Sequence, residues 1–111
     1  MTKITFYTKS NKYIGFKSEG HAGYEERGKD IVCSAISSIT QTCALGIIEV
    51  LKLNPKYEVN EENGYLQLRL PENVDEVLFE KAQVLFKTTY LALKDLSKGY
   101  PSNIKVEVKR L

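Results

Sequence analysis

The sequence changes period at Asp30–Val50, which reads DIVCSAISSITQTCALGIIEV. Apolar residues recur there at spacings of three and four, the period of an amphipathic helix. These residues are Ile36, Ile39, Cys43, Ile47 and Val50. Asp30 is a suitable N-cap, because its carboxylate can accept hydrogen bonds from backbone N–H groups of the first turn. The pattern predicts a helix that begins after Asp30, faces the core on one side and ends before Asn54-Pro55.

Before this helix, polar and apolar residues alternate, as they do in half-buried strands. Ile4–Thr8 and Tyr13–Ser18 both show the alternation, and the polar residues Lys9–Lys12 separate them. This order predicts an opening β-hairpin. Three glycines punctuate Gly20–Lys29, which is therefore predicted to be a loop.

After the helix, the sequence predicts a second hairpin from Tyr57–Asn60 and Tyr65–Leu70. Glu61–Gly64 lies between these strands, and its Asn-Gly pair can supply the positive φ angles of a tight turn.

A second helix is predicted from about Val74 to Lys98, and Gly99-Tyr100-Pro101 ends it. Its apolar face is predicted to contain Leu78, Ala82, Leu85, Ala92 and Leu96. Ile104–Val108 alternates as a last strand. The order ββαββαβ predicts an α+β fold of two layers, with two helices packed on a mostly antiparallel sheet.

Length and charge narrow the possible functions. A chain of 111 residues predicts a single domain spanning 1–111. Its 16 basic and 14 acidic residues are interleaved, which argues against a nucleic-acid partner. Met1–Tyr7 has no hydrophobic segment of a signal peptide, and polar residues interrupt the longest apolar stretches before membrane-spanning length. We therefore expect a cytoplasmic protein with no membrane partner and with reduced cysteines.

The strand–loop–helix unit contains a candidate nucleophile and a candidate base. His21, the single histidine, follows the second strand, and Cys33 lies at the third position of the predicted helix. Free N–H groups at a helix N-terminus stabilise a thiolate, and a nearby imidazole adds to this effect. The same N–H groups, that of Cys33 included, are candidates to bind the oxyanion formed when a peptide carbonyl is attacked. The loop between the two residues is a candidate lid.

Structural interpretations of the same residues remain open. A cysteine in the first turn of a helix is commonly a small core residue, and a loop histidine is commonly a surface residue. Asp30 is expected to cap the helix in either case. Ser37 lies one turn after Cys33 on the same face, where it either supports the site or is simply a polar residue at the exposed edge.

Cys43 is assigned to the core, because it is in register with the apolar stripe of the first helix. Ten residues of helix separate it from Cys33 by about 15 Å, too far for a disulfide. One histidine and one suitably placed cysteine are too few ligands for zinc, so we predict no metal and no cofactor. A redox or thiol-transfer function is disfavoured, because the sequence has no Cys-x-x-Cys pair.

Gly20-His21-Ala22-Gly23-Tyr24 and Asp30-Ile31-Val32-Cys33-Ser34-Ala35-Ile36-Ser37 together resemble the signature of the bacterial ribosomal-processing cysteine protease (Prp) family. The resemblance extends over the whole chain in length and element order. It implies that His21 and Cys33 form a catalytic dyad, that a side chain at Gly20 would obstruct the site, and that Asp30 and Ser37 support the dyad.

The resemblance also implies a substrate and an assembly. Members of this family are homodimers with a flexible loop over the active site, here Ala22–Lys29. They remove the N-terminal extension of the twenty-seventh protein of the large ribosomal subunit, beside a short hydrophobic, aromatic-rich sequence, and so act in ribosome biogenesis. The expected function is therefore that of a cysteine endopeptidase acting through a thioester. The alternative is a non-catalytic ribosome-associated binding protein that keeps both residues for structure.

Overall fold

The structure, a computed structural model, describes residues 1–26 and 29–111. Its elements follow one another as ββαββαβ, which confirms the predicted order and the α+β class. The strands are β1 (Thr2–Lys9), β2 (Lys12–Glu19), β3 (Lys56–Asn60), β4 (Tyr65–Arg69) and β5 (Ile104–Arg110), and the helices are α1 (Ile31–Leu45) and α2 (Glu76–Gly99). A π-helical turn, Gly46–Val50, continues α1.

In the described part of the chain, the strands form one mixed sheet in the order β3-β4-β2-β1-β5. Neighbouring strands are antiparallel except for β1 and β5, which run parallel, so the prediction of a mostly antiparallel sheet is confirmed. Residues that face each other across two strands share one side of the sheet. Phe6, Phe16 and Leu68 are aligned in this way and are fully buried, because the helices cover that side.

The two hairpins turn by different means. Between β1 and β2, Ser10 and Asn11 both have positive φ angles, 53° and 64°, as a two-residue hairpin turn requires. In the second hairpin Gly64 has a φ of 60°, whereas Asn63 does not adopt a positive φ. The prediction that the Asn-Gly pair would supply both angles is therefore wrong for Asn63. The turn is longer and is closed by a hydrogen bond from the Gly64 N–H to the Glu61 carbonyl (3.1 Å).

The predicted core face of α1 is confirmed for Ile36, Cys43 and Ile47, which are buried, and is wrong for Val50, which is 75% exposed. The π-helical turn explains the difference. A π turn contains more residues than an α turn, so the residue three positions after Ile47 no longer points to the core. Gly46 begins this turn where α1 meets α2, and a Cβ there would lie 2.9 Å from Leu85 Cδ1.

The most buried stripe of α2 differs from the predicted one. Its members are Ala82, Phe86, Thr89 and Leu93. Ala82 was predicted, whereas the other predicted residues, Leu78, Leu85, Ala92 and Leu96, are half-buried. Phe86 turns its ring edge to Phe16 on β2, with centroids 6.2 Å apart, so the larger aromatic side chain occupies the position nearest the sheet.

By length and composition alone, the 20-residue span Ile31–Val50 would pass for a membrane-spanning helix. Core helices of soluble proteins can have the same length and composition. Here the span packs against α2, and its apolar stripe lies in the hydrophobic core. Polar residues, among them Ser34, Ser37 and Gln41, line a cleft on its other side.

Candidate active site

The sheet topology brings the ends of several elements together. Because β1 and β4 both run antiparallel to β2, the end of β2 lies beside the start of each. β5 is parallel to β1 and therefore starts at the same edge. The segment Gly20–Ala22, which follows β2, is held at this edge, and α1 begins beside it.

Cys33 lies at the third position of α1, as predicted, and is partly exposed. Its sulfur accepts a hydrogen bond from the backbone N–H of Ala22 at 3.2 Å. Ala22 is itself almost completely buried, so this donor is fixed in place. A fixed N–H beside a sulfur stabilises negative charge on it, which is a property that a nucleophilic thiolate needs.

His21 directly precedes this donor and is partly exposed. Its Nε2 lies 3.1 Å from the carbonyl oxygen of Glu62, in the turn between β3 and β4. Within the described residues, no hydrogen bond joins the imidazole directly to the sulfur of Cys33. The two residues nevertheless line the same cleft. They are also connected indirectly, because Ala22, the residue after His21, donates its backbone N–H to the Cys33 sulfur.

Asp30 is the N-cap of α1, as predicted, and its buried carboxylate has two sets of partners. Oδ1 accepts hydrogen bonds from the N–H groups of Val32 and Cys33, both at 2.9 Å. Oδ2 accepts from the N–H groups of Tyr24 (2.9 Å) and Glu25 (3.2 Å) in the loop. Burial by itself raises the pKa of Asp30, but the hydrogen bonds outweigh it and hold the pKa below its ordinary value.

This arrangement corrects one expectation. The N–H of Cys33 was a candidate to bind an oxyanion, but in this conformation it donates to Asp30 Oδ1. The N–H of Val32 donates to the same oxygen. A side-chain cap satisfies the donors that a helix start would otherwise offer to a ligand, so these two groups are not free to bind one.

Backbone contacts hold the segment that carries His21. The Gly20 N–H donates to the Gly64 carbonyl (2.9 Å), and the Thr2 hydroxyl donates to the Gly20 carbonyl (3.2 Å). The Asn103 amide donates to the Ala22 carbonyl at 2.9 Å. Three distant parts of the chain therefore fix the position of this short segment.

Gly20 has a φ of 93°, a conformation that L-residues with side chains rarely adopt. A Cβ there would lie 2.6 Å from the Met1 carbonyl oxygen. A side chain here would therefore collide with backbone, whereas obstruction of the site itself stays a prediction from the family resemblance. The contact is with the start of the chain.

The cleft has a volume of about 400 Å³ and separates α1 from the β3–β4 hairpin. The start of α1 and the end of β2 form one end of it, with Cys33 and His21. Ser37 is exposed and lines the cleft on the same side as Cys33. The remaining wall and floor include Ser18, Ile36, Thr40, Gln41, Val59 and Leu66.

The predicted lid, Ala22–Lys29, includes Arg27 and Gly28, which lie outside the described residues. Of the described part, Tyr24 and Glu25 are hydrogen-bonded to Asp30. The ring of Tyr24 also packs edge-on against that of Tyr100, with centroids 5.4 Å apart. This part of the loop is therefore attached both to the start of α1 and to the segment that follows α2.

Cys43 is buried in the core, which confirms the assignment from the sequence. Burial raises the pKa of its thiol to about 11, an effect that a hydrogen bond with Thr89 partly offsets. Both cysteines are free thiols.

Sequence reasoning missed Asn103, Thr2 and the turn Glu61–Gly64 as parts of the site. Thr2 begins β1 and Asn103 directly precedes β5, so neither residue belongs to a sequence motif that would indicate a functional site. The turn acts through backbone groups, which a side-chain pattern does not reveal. To find them, the sequence would have had to reveal the strand order, which places β4 beside β2 and β5 beside β1.

Comparison with known proteins agrees with this architecture. Residues 1–105 match the family model described as cysteine protease Prp. The chain is similar to the ribosomal processing cysteine protease Prp of Bacillus subtilis, with 27% identity over 93 residues, covering 84% of this chain and 83% of the relative.

Solved structures from Staphylococcus aureus share the fold. The ribosomal processing protease Prp in complex with a covalently linked product peptide has a TM-score of 0.86 at 23% identity, covering 98% of this chain and all of that one. The same protease in complex with a substrate peptide has a TM-score of 0.81 at 22% identity, with the same coverage. Since the family model spans nearly the whole chain, this protein belongs to the Prp family of cysteine proteases.

Proposed function

We propose that this protein is a cysteine endopeptidase in which Cys33 is the nucleophile and His21 the general base. The observation that carries the proposal is the arrangement around the Cys33 sulfur. It lies at the start of a helix, accepts a hydrogen bond from the fixed Ala22 N–H and lines one cleft with the single imidazole of the chain. A nucleophile and a base in one accessible cleft are the minimum that nucleophilic catalysis needs.

In the first half of the reaction, His21 takes the proton from the Cys33 thiol, and the thiolate attacks the scissile carbonyl carbon. The resulting tetrahedral intermediate collapses when the imidazolium gives its proton to the departing amine. The C–N bond breaks, the C–S bond remains as a thioester, and the imidazole is neutral again.

In the second half, His21 takes a proton from a water molecule that attacks the thioester carbonyl. Collapse of this intermediate breaks the C–S bond, releases the new carboxyl terminus and returns the proton to the sulfur. The approach of His21 to Cys33 is expected to tighten when substrate is bound, because catalytic hydrogen bonds are often long in the free enzyme.

The proposed substrate is the N-terminal extension of the twenty-seventh protein of the large ribosomal subunit. The name of the Bacillus subtilis relative supports a role in ribosomal processing. The covalently linked product peptide of the Staphylococcus aureus protease supports a mechanism with an enzyme–peptide bond. The cleft between α1 and β3–β4 offers apolar contacts, through Ile36, Val59 and Leu66, to the hydrophobic sequence expected beside the cut.

The proposal is tested by incubating the protein with a peptide that carries this extension and following the products by mass spectrometry. Cleavage by the parent protein and loss of at least about 10⁴-fold in rate for Cys33→Ala is expected, since the nucleophile is removed. Cys43→Ala is the matched control, because it removes the other thiol of the same helix, and it should cleave at the parent rate.

Binding of the peptide without cleavage by the parent protein would contradict the proposal and favour the non-catalytic binding protein. Equal cleavage by the parent and by Cys33→Ala would remove Cys33 from its proposed role. Loss of cleavage in His21→Ala, with peptide binding retained, is expected if the imidazole acts as the base.

We also propose that the protein acts as a homodimer in the cytoplasm, without a direct nucleic-acid or membrane partner. The dimer rests on the family resemblance, and the location rests on the proposed ribosomal substrate. Sedimentation equilibrium over a range of protein concentrations tests the first proposal, and fractionation of cells that express the protein tests the second.

A further inference from the structure

The turn between β3 and β4 packs against the imidazole of His21. The Glu62 carbonyl oxygen lies 3.1 Å from His21 Nε2. Gly64 lies so close that a Cβ on it would be 3.0 Å from His21 Cε1. One edge of the imidazole is thus in contact with backbone atoms, and no side chain of the turn is needed for this contact.

The chemistry of the acceptor determines the direction of this hydrogen bond. A backbone carbonyl oxygen can only accept, so Nε2 must carry the hydrogen. In the neutral imidazole, the other nitrogen, Nδ1, then has the free lone pair. Nδ1 is therefore the nitrogen that can take a proton from a thiol.

We propose that the main-chain carbonyl of Glu62 is the third member of the catalytic group, a positioning group that fixes the tautomer and the ring orientation of His21. The inference rests on the proposed function, in which His21 is the base. Throughout both halves of the reaction Nε2 keeps its hydrogen, while Nδ1 takes the proton and gives it up again. The carbonyl dipole also stabilises the imidazolium that forms between these transfers.

The position of this carbonyl is well determined by its surroundings. The Gly64 N–H donates to the Glu61 carbonyl (3.1 Å), and the Asn63 N–H donates to the Asn60 side chain (3.2 Å). The Gly64 carbonyl accepts the N–H of Gly20, the residue before His21, at 2.9 Å. Two hydrogen bonds within the turn and one to the histidine segment therefore hold this carbonyl in place, which is what a positioning group requires.

Gly64 makes this close approach possible. A Cβ there would lie 2.7 Å from the Gly20 carbonyl oxygen, and its φ of 60° disfavours residues with side chains. Substitution of Gly64 is therefore expected to move the turn away from His21 without altering any group that reacts.

The first test reads the tautomer directly in the parent protein. Because His21 is the single histidine of the chain, ¹⁵N-labelled histidine gives one set of ring signals. For the neutral ring we expect nitrogen chemical shifts that show a protonated Nε2 and an unprotonated Nδ1. A neutral ring protonated at Nδ1, or an even mixture of the two forms, would overturn the inference. This measurement needs neither a substrate nor a variant.

The second test compares Gly64→Ala with Gly99→Ala. The control makes the same chemical change at the end of α2, where a Cβ would meet nothing within 4 Å. We expect Gly64→Ala to lower kcat by about 10–100-fold with a smaller change in KM, and to shift the ring signals toward a tautomer mixture. Gly99→Ala should retain the parent values of both.

The outcomes separate this inference from the proposed function. If the parent protein cleaves no peptide but has the Nε2–H tautomer, the function fails and the positioning contact stands. If the parent protein cleaves and folded Gly64→Ala, checked by circular dichroism, keeps the parent kcat and tautomer, the positioning role is overturned. If Gly64→Ala does not fold, the tautomer of the parent protein decides.

Discussion

Cys33 and Cys43 lie on the same helix, and their surroundings differ in nearly every respect. Cys33 is partly exposed, lines the cleft and accepts a hydrogen bond from the Ala22 N–H. Cys43 is 3% exposed, and its nearest polar contacts are the Leu85 carbonyl and the Thr89 hydroxyl. The cleft leaves the Cys33 sulfur accessible, whereas burial in the core is the dominant influence on the Cys43 sulfur.

The surroundings of a thiol therefore depend on the few atoms packed around it and not on the element that carries it. Burial penalises the thiolate at Cys43 and favours the neutral thiol there. At Cys33 the sulfur instead lies in an open cleft and accepts a hydrogen bond from a fixed N–H.

Alkylation should distinguish the two thiols most strongly. At pH 8, a pKa of about 11 leaves roughly one part in a thousand of Cys43 as thiolate. Iodoacetamide is therefore expected to modify Cys33 at least about 100-fold faster than Cys43 in the native protein, as measured by peptide mapping. In urea both should react at similar rates. Comparable rates in the native protein would show that the contrast does not exist.

Stability at alkaline pH should depend on Cys43. Its folded-state pKa is raised from 9.0 to about 11, so the unfolded chain loses this proton first as the pH rises. The stabilisation is complete below pH 9 and is lost as the pH approaches 11, an effect on the order of 2–3 kcal/mol. Urea unfolding of the parent protein and of Cys43→Ala at several pH values isolates it, because other groups titrate equally in both. Parallel curves would contradict the prediction.

Asp30→Asn tests how much the Asp30 carboxylate stabilises the start of α1 and the loop beside it. The amide can accept at one atom where the carboxylate accepts at two, so we expect a loss of about 1–2 kcal/mol in the free energy of unfolding. Because the folded-state pKa of Asp30 lies below its ordinary 3.8, this contribution should persist above pH 4 and disappear as the pH falls further.

Asp75→Asn is the matched control for this prediction. Asp75 caps α2 through Val77 and Leu78 but is exposed and holds no loop. Its substitution should cost less than that of Asp30. Equal losses at the two caps would mean that the bonds to Tyr24 and Glu25 contribute nothing.

Ser37→Ala should have the smallest effect. Ser37 is exposed, and within the described residues its side chain makes no hydrogen bond. A change of about twofold or less in kcat/KM is expected, in line with substitutions at exposed positions. A tenfold loss would instead mean that the hydroxyl supports the dyad, as the family resemblance implies.

The sequence predicted the elements and the place of Cys33 because these depend on local patterns. The period of three and four residues marked α1, and Asp30 is an N-cap by its chemistry alone. Val50 was misplaced because a π-helical turn changes the period without a clear signal in the sequence. The buried stripe of α2 also differs from the predicted one, because the large side chain of Phe86 packs against the sheet.

The contacts of the site were less predictable because they join distant parts of the chain. His21 was found as a residue, but its partner at Glu62 is a carbonyl, which every residue possesses. That Cys33 N–H is occupied by Asp30 follows from side-chain geometry, which spacing does not give. Predicting these contacts would have required the order of the strands in the sheet.

The bond between Asn103 and Ala22 joins residues 81 positions apart. The Asn103 carbonyl also accepts the N–H of Thr2, so β1 obtains its parallel partner from β5, which follows all the other elements described here in chain order. Contacts of such long sequence separation form late in folding, because closing a long loop costs entropy before any contact is gained. The backbone N–H of Ala22, which contacts the Cys33 sulfur, therefore gains this support only after Asn103 and β5 have been synthesised and have folded back onto β1.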